Sequence, residues 1–264
     1  MNNFDFHRPA SVADAARLIA AAPDGKLLGG GQSLLASMKL GLAAPSDLVD
    51  LSKIGDLKGI RVDGGQVHIG AMSTHASVAA SEDVRRALPA LARLAGGIGD
   101  RAVRTLGTLG GSLANNDPAA CYPAAVLGLG ATIHTEKRSI AADDFFKGLY
   151  ETALEPNEII TSVSFPVPAK AGYVKFHQPA SRFALVGVFV SQGSGGVRVA
   201  VTGAGACVFR VPALEQALAA NWSAQACKGV SVSADALNTD LHASAEYRAH
   251  LIPVLAGRAV TQAG

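Results

Sequence analysis

Three consecutive glycines, Gly29-Gly30-Gly31, stand between a short apolar stretch, Lys26-Leu27-Leu28, and the pair Gln32-Ser33 that opens a helical pattern through Leu40. Glycine has no Cβ, so such a run lets the backbone enter the left-handed region and lets another group approach the main chain closely. Consecutive amides can then converge as an anion nest, and a strand-to-helix junction adds the favourable end of the helix dipole. Taken alone, the run also fits a plain strand-to-helix turn. A second segment, Thr108-Leu109-Gly110-Gly111-Ser112, repeats adjacent glycines with hydroxyls on both sides. Two turns of this make in one chain point to a diphosphate gripped from two sides. Neither has the G-x-G-x-x-G spacing. Gly203-Ala204-Gly205 is followed by Val208 at the third glycine position and reads as a strand-end turn, and no G-K-[ST] occurs. The pattern favours a dinucleotide held by something other than a Rossmann fold.

The flanking sequence gives an α/β alternation. Ser11-Val12-Ala13-Asp14 is a helix start with a hydroxyl cap and an acidic residue three positions later. Val12, Ala15, Leu18, Ile19 and Ala22 make one apolar stripe, and Pro23-Asp24-Gly25 ends it. Lys26–Leu28 and Leu48–Leu51 read as strands. Gly59–Val62 and Gln66–Ile69 flank Asp63-Gly64-Gly65 as a hairpin. Thr74 caps a helical turn through Ala80, and Glu82–Ala95 is helical with an interruption at Pro89. The stretch from Gly96 to Pro118 is too rich in glycine to assign. Further strands are expected at Ala131–His134, Ser139–Ala141 and Glu158–Phe165, and Pro166 and Pro168 mark a boundary. Beyond it come strands at Tyr173–Phe176, Phe183–Val190 and Val197–Thr202, then helices at Pro212–Ala219 and Ala245–Val260. The expected division is 1–55, 56–168 and 169–264.

Composition narrows the class of function. Charged residues are 17% of the chain and the net charge is +2, with no basic stripe for nucleic acid. Asp5, His7 and Arg8 leave no room for a signal-peptide core at the start. No apolar run reaches the ~18 residues of a membrane span, so a cytoplasmic protein is expected. Three cysteines, Cys121, Cys207 and Cys227, match no zinc or iron–sulfur spacing and are expected to be free thiols. Metal clusters, if the function needs them, belong to another chain. No nucleophile–base constellation is visible, and no catalytic residue or metal ligand is assigned here. His75 is expected to pack or cap, and Asp117 to cap a helix starting near Pro118.

Longer stretches resemble a known family. Lys26–Leu35 resembles the first FAD loop of the medium, flavoprotein subunit of the xanthine dehydrogenase and carbon monoxide dehydrogenase family of molybdenum hydroxylases. Ile69-Gly70-Ala71-Met72-Ser73-Thr74-His75 is similar to the family's next landmark. Arg104–Ala114 followed by Asp117-Pro118 is similar to its second FAD loop and is the most specific match. Asn157-Glu158-Ile159-Ile160, Tyr173-Val174-Lys175-Phe176 and Glu246-Tyr247-Arg248, before the terminal helix, follow in order, so the resemblance covers nearly the whole chain.

The resemblance implies an α+β chain. Its FAD-binding fold is of the vanillyl-alcohol-oxidase (PCMH) type, two α/β subdomains followed by a C-terminal α+β domain. It implies cofactor-binding roles for Lys26, Leu27, Leu28, Gly29, Gly30, Gly31, Gln32, Ser33 and Leu34, and for Thr108, Leu109, Gly110, Gly111 and Ser112. Ile98 and Gly99 are then expected near the flavin ring, Ile160 against the cofactor, and Lys175 at the ring's polar edge, where a cation favours electron density on reduced flavin. Cys121 stands where many relatives carry an acidic residue that binds a sugar hydroxyl. A thiol is a weak partner. The expected partners are a small subunit with two [2Fe–2S] clusters and a large subunit with the molybdenum cofactor, assembled as a dimer of heterotrimers. FAD is expected to take electrons from the clusters and pass them to NAD, oxygen or a quinone-type acceptor. Two alternatives stay open: a stand-alone flavin oxidase or dehydrogenase of the same fold, and a cofactor-free scaffold subunit.

Overall fold

The computed structural model describes residues 2–264. The first segment contains β1 (Asp5–His7), α1 (Val12–Ala21), β2 (Gly25–Leu28), α2 (Leu34–Lys39) and β3 (Asp47–Asp50). Its three strands form a parallel sheet in the order β1-β3-β2. Ser11 caps α1 as expected, its Oγ accepting from the Asp14 amide at 3.1 Å. Ala15 and Ile19 of α1 pack with Val49, Ile54 and Leu57 in a small core. This layer aims the end of β2, and hence the glycine run, outward. β1 escapes sequence reading because three residues are too few to show alternation.

The second segment contains β4 (Ile60–Asp63), β5 (Gln66–Gly70), α3 (His75–Ala80), α4 (Glu82–Ala87), α5 (Pro89–Gly96), α6 (Arg101–Leu106), α7 (Leu109–Asn115) and α8 (Tyr122–Leu129). It continues with β6 (Thr132–Thr135), β7 (Ser139–Ala141), α9 (Ala142–Phe145), β8 (Phe146–Gly148), β9 (Glu151–Thr152) and β10 (Ile160–Pro166). Five strands make an antiparallel sheet in the order β4-β5-β10-β6-β7, and β8 and β9 form a separate hairpin. Gly64 and Gly65 turn the first hairpin with φ of 54° and 75°. Pro89 opens α5 at its first turn, where its missing N–H costs nothing. The stretch left unassigned by sequence folds into α6 and α7. Asp100 caps α6, accepting from the Val103 amide at 2.8 Å, and Thr108 caps α7. Each helix is too short to overcome its glycine-rich surroundings in a periodicity count.

The third segment contains β11 (Lys170–His177), β12 (Ala184–Gly193), β13 (Gly196–Thr202), β14 (Phe209–Arg210), α10 (Pro212–Ala220), α11 (Ala224–Cys227) and α12 (Ala245–Ala263), with its strands antiparallel in chain order. α12 lies on β11 and β12. At Gly172 an added Cβ would stand 2.0 Å from the Ala259 carbonyl oxygen, so only glycine permits this approach. Glu246-Tyr247-Arg248 lies inside α12 rather than before it. Arg248 is buried and donates to the Leu185 and Gly203 carbonyls and to Asp240.

α8 ties the second and third segments together. All eight of its residues are buried, the signature of a helix covered on every side. Phe189 and Ala200 of the C-terminal sheet join its core, and Ser191 donates to the Gly128 carbonyl at 2.6 Å. The three cysteines are free thiols. Among the described residues no cluster could hold a metal ion, and no helix is long and apolar enough to cross a membrane.

Candidate cofactor site

A cleft of about 500 Å³ opens where the three segments meet, within the range of ligand pockets. Its first wall is the run from Lys26 to Leu34. Gly31 takes φ of 71°, the left-handed conformation the sequence suggests. Among the described residues, the amides of Gly30, Gly31, Gln32 and Ser33 find no acceptor. Gln32 folds its side-chain amide back to the Gly30 carbonyl at 3.3 Å. Four free donors in succession, in a half-exposed turn, are a nest for an anion. α2 beyond them has only six residues, so the amides themselves, rather than a helix dipole, do the binding.

The second segment differs from expectation. Leu109 to Ser112 is the first turn of α7, not a free turn, and its amides are already used. Leu109 donates to Ser73 O at 3.1 Å, Gly110 to Ala71 O at 2.8 Å and Ser112 to Thr108 O at 3.0 Å. Gly111 donates to Thr108 Oγ1 at 3.2 Å. Gly110 is a packing glycine: an added Cβ would meet Ala71 Cβ at 2.7 Å. Thr108, Gly111 and Ser112 border the cleft, whereas Leu109 and Gly110 do not. From Leu109 to Ser112 this wall therefore offers the cleft a hydroxyl and open space, not free amides.

The walls touch each other. A Cβ at Gly30 would lie 2.1 Å from the Leu106 carbonyl oxygen and 2.7 Å from Gly107 Cα, and one at Gly29 would lie 3.0 Å from Thr108 Oγ1. Glycine at 29 and 30 is what brings the nest against Thr108. Ile98 and Gly99 line the cleft further along. Arg104 fixes them by donating to their carbonyls at 3.0 and 2.9 Å.

The far end is built by the C-terminal sheet. Lys175 borders the cleft, but its ammonium is fully engaged. It donates to Gly97 O at 2.8 Å, to Arg182 O at 2.9 Å and to Cys121 Sγ at 3.4 Å. The lysine is thus a strut between α5, the α8 start and the loop before β12, and its charge still acts on the cleft. Cys121 is buried. The turn before it is clamped by Thr202, whose hydroxyl lies 2.9 and 2.7 Å from the Pro118 and Ala120 carbonyls. Asp117 caps that turn through the Ala119 amide at 2.8 Å, not a helix. Ile160 is buried in β10 within the middle core and is not on the lining of the cleft.

Several lining residues carry no signal of their own in the sequence, among them Val103, Asn115 and the Ser181-Arg182-Phe183 loop. Gly107 and Ala114, also on the wall, lie within the stretch that resembles the second FAD loop. His75 packs as expected, buried on Tyr122 with ring centroids 5.3 Å apart, yet it also borders the cleft.

A cradle that any Cβ would fill, four unspent amides and a cation at the opposite end fit an elongated cofactor with an anionic middle. Comparison with known proteins agrees. Residues 2–168 match the family described as the FAD binding domain in molybdopterin dehydrogenase. The chain is 36% identical over 272 residues to the nicotine 6-hydroxylase medium subunit of Paenarthrobacter nicotinovorans, covering 97% of this chain and 95% of that one. It is 43% identical over 171 residues to the carbon monoxide dehydrogenase medium chain of Afipia carboxidovorans, covering 63% and 59%. Its fold superposes on reconstituted CO dehydrogenase from Oligotropha carboxidovorans with a TM-score of 0.91 at 33% identity, over 99% of this chain and 98% of that one. With an α+β FAD-binding fold and a C-terminal α+β domain, the chain belongs to the family of FAD-binding medium subunits of molybdenum hydroxylases.

Proposed function

We propose that this chain binds one FAD across the cleft and relays electrons within a heteromeric molybdenum hydroxylase in the cytoplasm. The electrons come from [2Fe–2S] clusters on a small partner subunit, fed by a large subunit with the molybdenum cofactor. They leave to NAD, oxygen or a quinone-type acceptor. A dimer of heterotrimers is the expected assembly. Bound FAD supplies the conversion between one-electron and two-electron transfer. The division 1–55, 56–168 and 169–264 is supported by each main sheet falling within one segment.

The protein's part is to bind, orient and polarise. The Gly30–Ser33 amides take the diphosphate, as backbone donors do where side chains would be too bulky. Thr108 and Ser112 place hydroxyls opposite. Ile98 and Gly99, held by Arg104, form an apolar and backbone ledge for the ring system. Lys175, fixed by three acceptors, keeps a positive charge in the cleft at no reorganisation cost. Cys121 beside it offers a weak partner for a sugar hydroxyl.

The carrying observation is the nest of four amides without acceptors among the described residues, closed against Thr108. Purified chain is expected to be yellow, with one FAD released per chain on denaturation and rebound on dialysis. Pull-down should bring iron and molybdenum with it. Colourless protein that cannot be reconstituted would contradict the binding role. Bleaching of the isolated flavoprotein by an organic substrate would instead establish a stand-alone oxidase.

A further inference from the structure

His75 sits at the start of α3, where Thr74 is the cap. Its own amide donates to the Gly107 carbonyl at 2.9 Å, which brings its side chain against the second wall of the cleft. A Cβ at Gly107 would stand 2.5 Å from Nε2 and 2.8 Å from Cδ2, so the ring edge occupies the space that glycine leaves. Nδ1 is sealed in the interior with no partner. Nε2 also bonds to nothing among the described residues, but it is not sealed, and the residue borders the cleft. A buried side chain with an orphan nitrogen inside and a second unpaired nitrogen at the cavity is unfinished without a ligand.

The protonation state follows from the surroundings. Burial, and then the Arg104 cation, lower the imidazole pKa to about 4. The ring is therefore neutral near pH 7 and carries one N–H and one bare nitrogen. A proton on Nδ1 would strand a donor in the interior and turn a lone pair toward the cleft. A proton on Nε2 presents a donor to the cleft and leaves only a lone pair inside.

Resting on the FAD reading, we infer that His75 is a cofactor ligand whose Nε2–H donates to a diphosphate oxygen held between the Gly30 turn and Thr108. The three groups lie within one contact shell, because Gly30 abuts Gly107 and Gly107 abuts Nε2. Gly107 has a role of its own in this arrangement, since any side chain there would push the imidazole off.

The test compares the apo chain with its His75→Gln and His75→Met variants by FAD titration. Glutamine carries an amide nitrogen to roughly the Nε2 position, and methionine fills the volume with no donor. The His75→Gln chain is expected within about threefold of wild-type affinity, and the His75→Met chain weaker by about 10- to 100-fold, the range for one hydrogen bond to an anion. The ³¹P resonances of bound FAD should stay in place in the glutamine variant and move in the methionine variant, which loss of packing alone would not produce selectively. Imidazole ¹⁵N spectra of the unmodified chain give a readout independent of any variant. The expected result is an Nε2–H tautomer in the apo chain whose proton shifts on adding FAD. An Nδ1–H tautomer, or a His75→Met chain that binds FAD like wild type, overturns the His75 assignment alone. Wild-type chain that takes up no FAD overturns the cofactor reading and this inference with it.

Discussion

Replacing Gly30 with alanine separates the two walls of the cleft. The new Cβ would lie 2.1 Å from the Leu106 carbonyl oxygen and 2.7 Å from Gly107 Cα. An ordinary C···O contact is about 3.3 Å, so the overlap is on the order of 1 Å, and the atoms it meets are backbone. Neither partner can rotate away, so one wall must shift. Overpacking of this kind costs about 1–3 kcal/mol, and a backbone clash belongs at the upper end. At about 2–4 °C per kcal/mol for a chain of this size, the melting temperature should fall by roughly 5–10 °C. The effect on FAD is larger, because a ~1 Å displacement takes the nest out of register with Thr108. Losing two charge-assisted hydrogen bonds at about 1.5–3 kcal/mol each weakens binding by at least ~100-fold. Flavin fluorescence titration and calorimetry read the two effects. Gly55→Ala is the control, since nothing lies within 4 Å of its added Cβ. Gly30→Ala binding FAD within threefold of wild type, at an unchanged melting temperature, would refute the close-approach argument.

Three further outcomes are expected. Gly111→Val should abolish flavin retention, because even a Cβ there meets Thr108 Oγ1 at 2.9 Å and disrupts the cap; the flavin content of soluble purified variant checks this. Lys175→Met removes the strut to Gly97, Arg182 and Cys121 and should cost about 1.5–3 kcal/mol, seen as a lower melting temperature of the apo chain. Glu158 is held at a pKa of about 2, below its ordinary 4.5, first by Arg138 and then by the Glu155 amide and the Thr135 hydroxyl, against the opposing effect of burial. A depressed folded pKa means stability that is full above the unfolded pKa and lost as pH falls through the folded one. The wild-type advantage over Glu158→Gln should therefore be constant above about pH 4.5 and shrink toward pH 2, measured by urea unfolding at stepped pH.

The local elements are mostly legible in the sequence. Ser11, Pro89 and the Gly64-Gly65 hairpin turn each act through neighbours in sequence, so their effects can be read along the chain. The glycine nest is legible for the same reason. The second glycine segment is only half legible because adjacent glycines have two uses: Gly111 leaves space at the cleft, while Gly110 lets α7 lie on Ala71. Which use applies depends on a chain segment some forty residues away. The family resemblance marks this stretch without revealing where its amides point. Ile160, expected against the cofactor, sits on β10, the central strand of its sheet, with its side chain in the core. Ser181-Arg182-Phe183 joins the cleft through the docking of the C-terminal sheet on α8, and Asn115 through the placement of α7, neither of which a local pattern encodes.

A crystal structure of the chain grown with FAD tests the central claim most directly. The account predicts the diphosphate within hydrogen-bond distance of the Gly30, Gly31, Gln32 and Ser33 amides, with Thr108 on its other side. FAD bound elsewhere, or those four amides turned away from the phosphates, would contradict it.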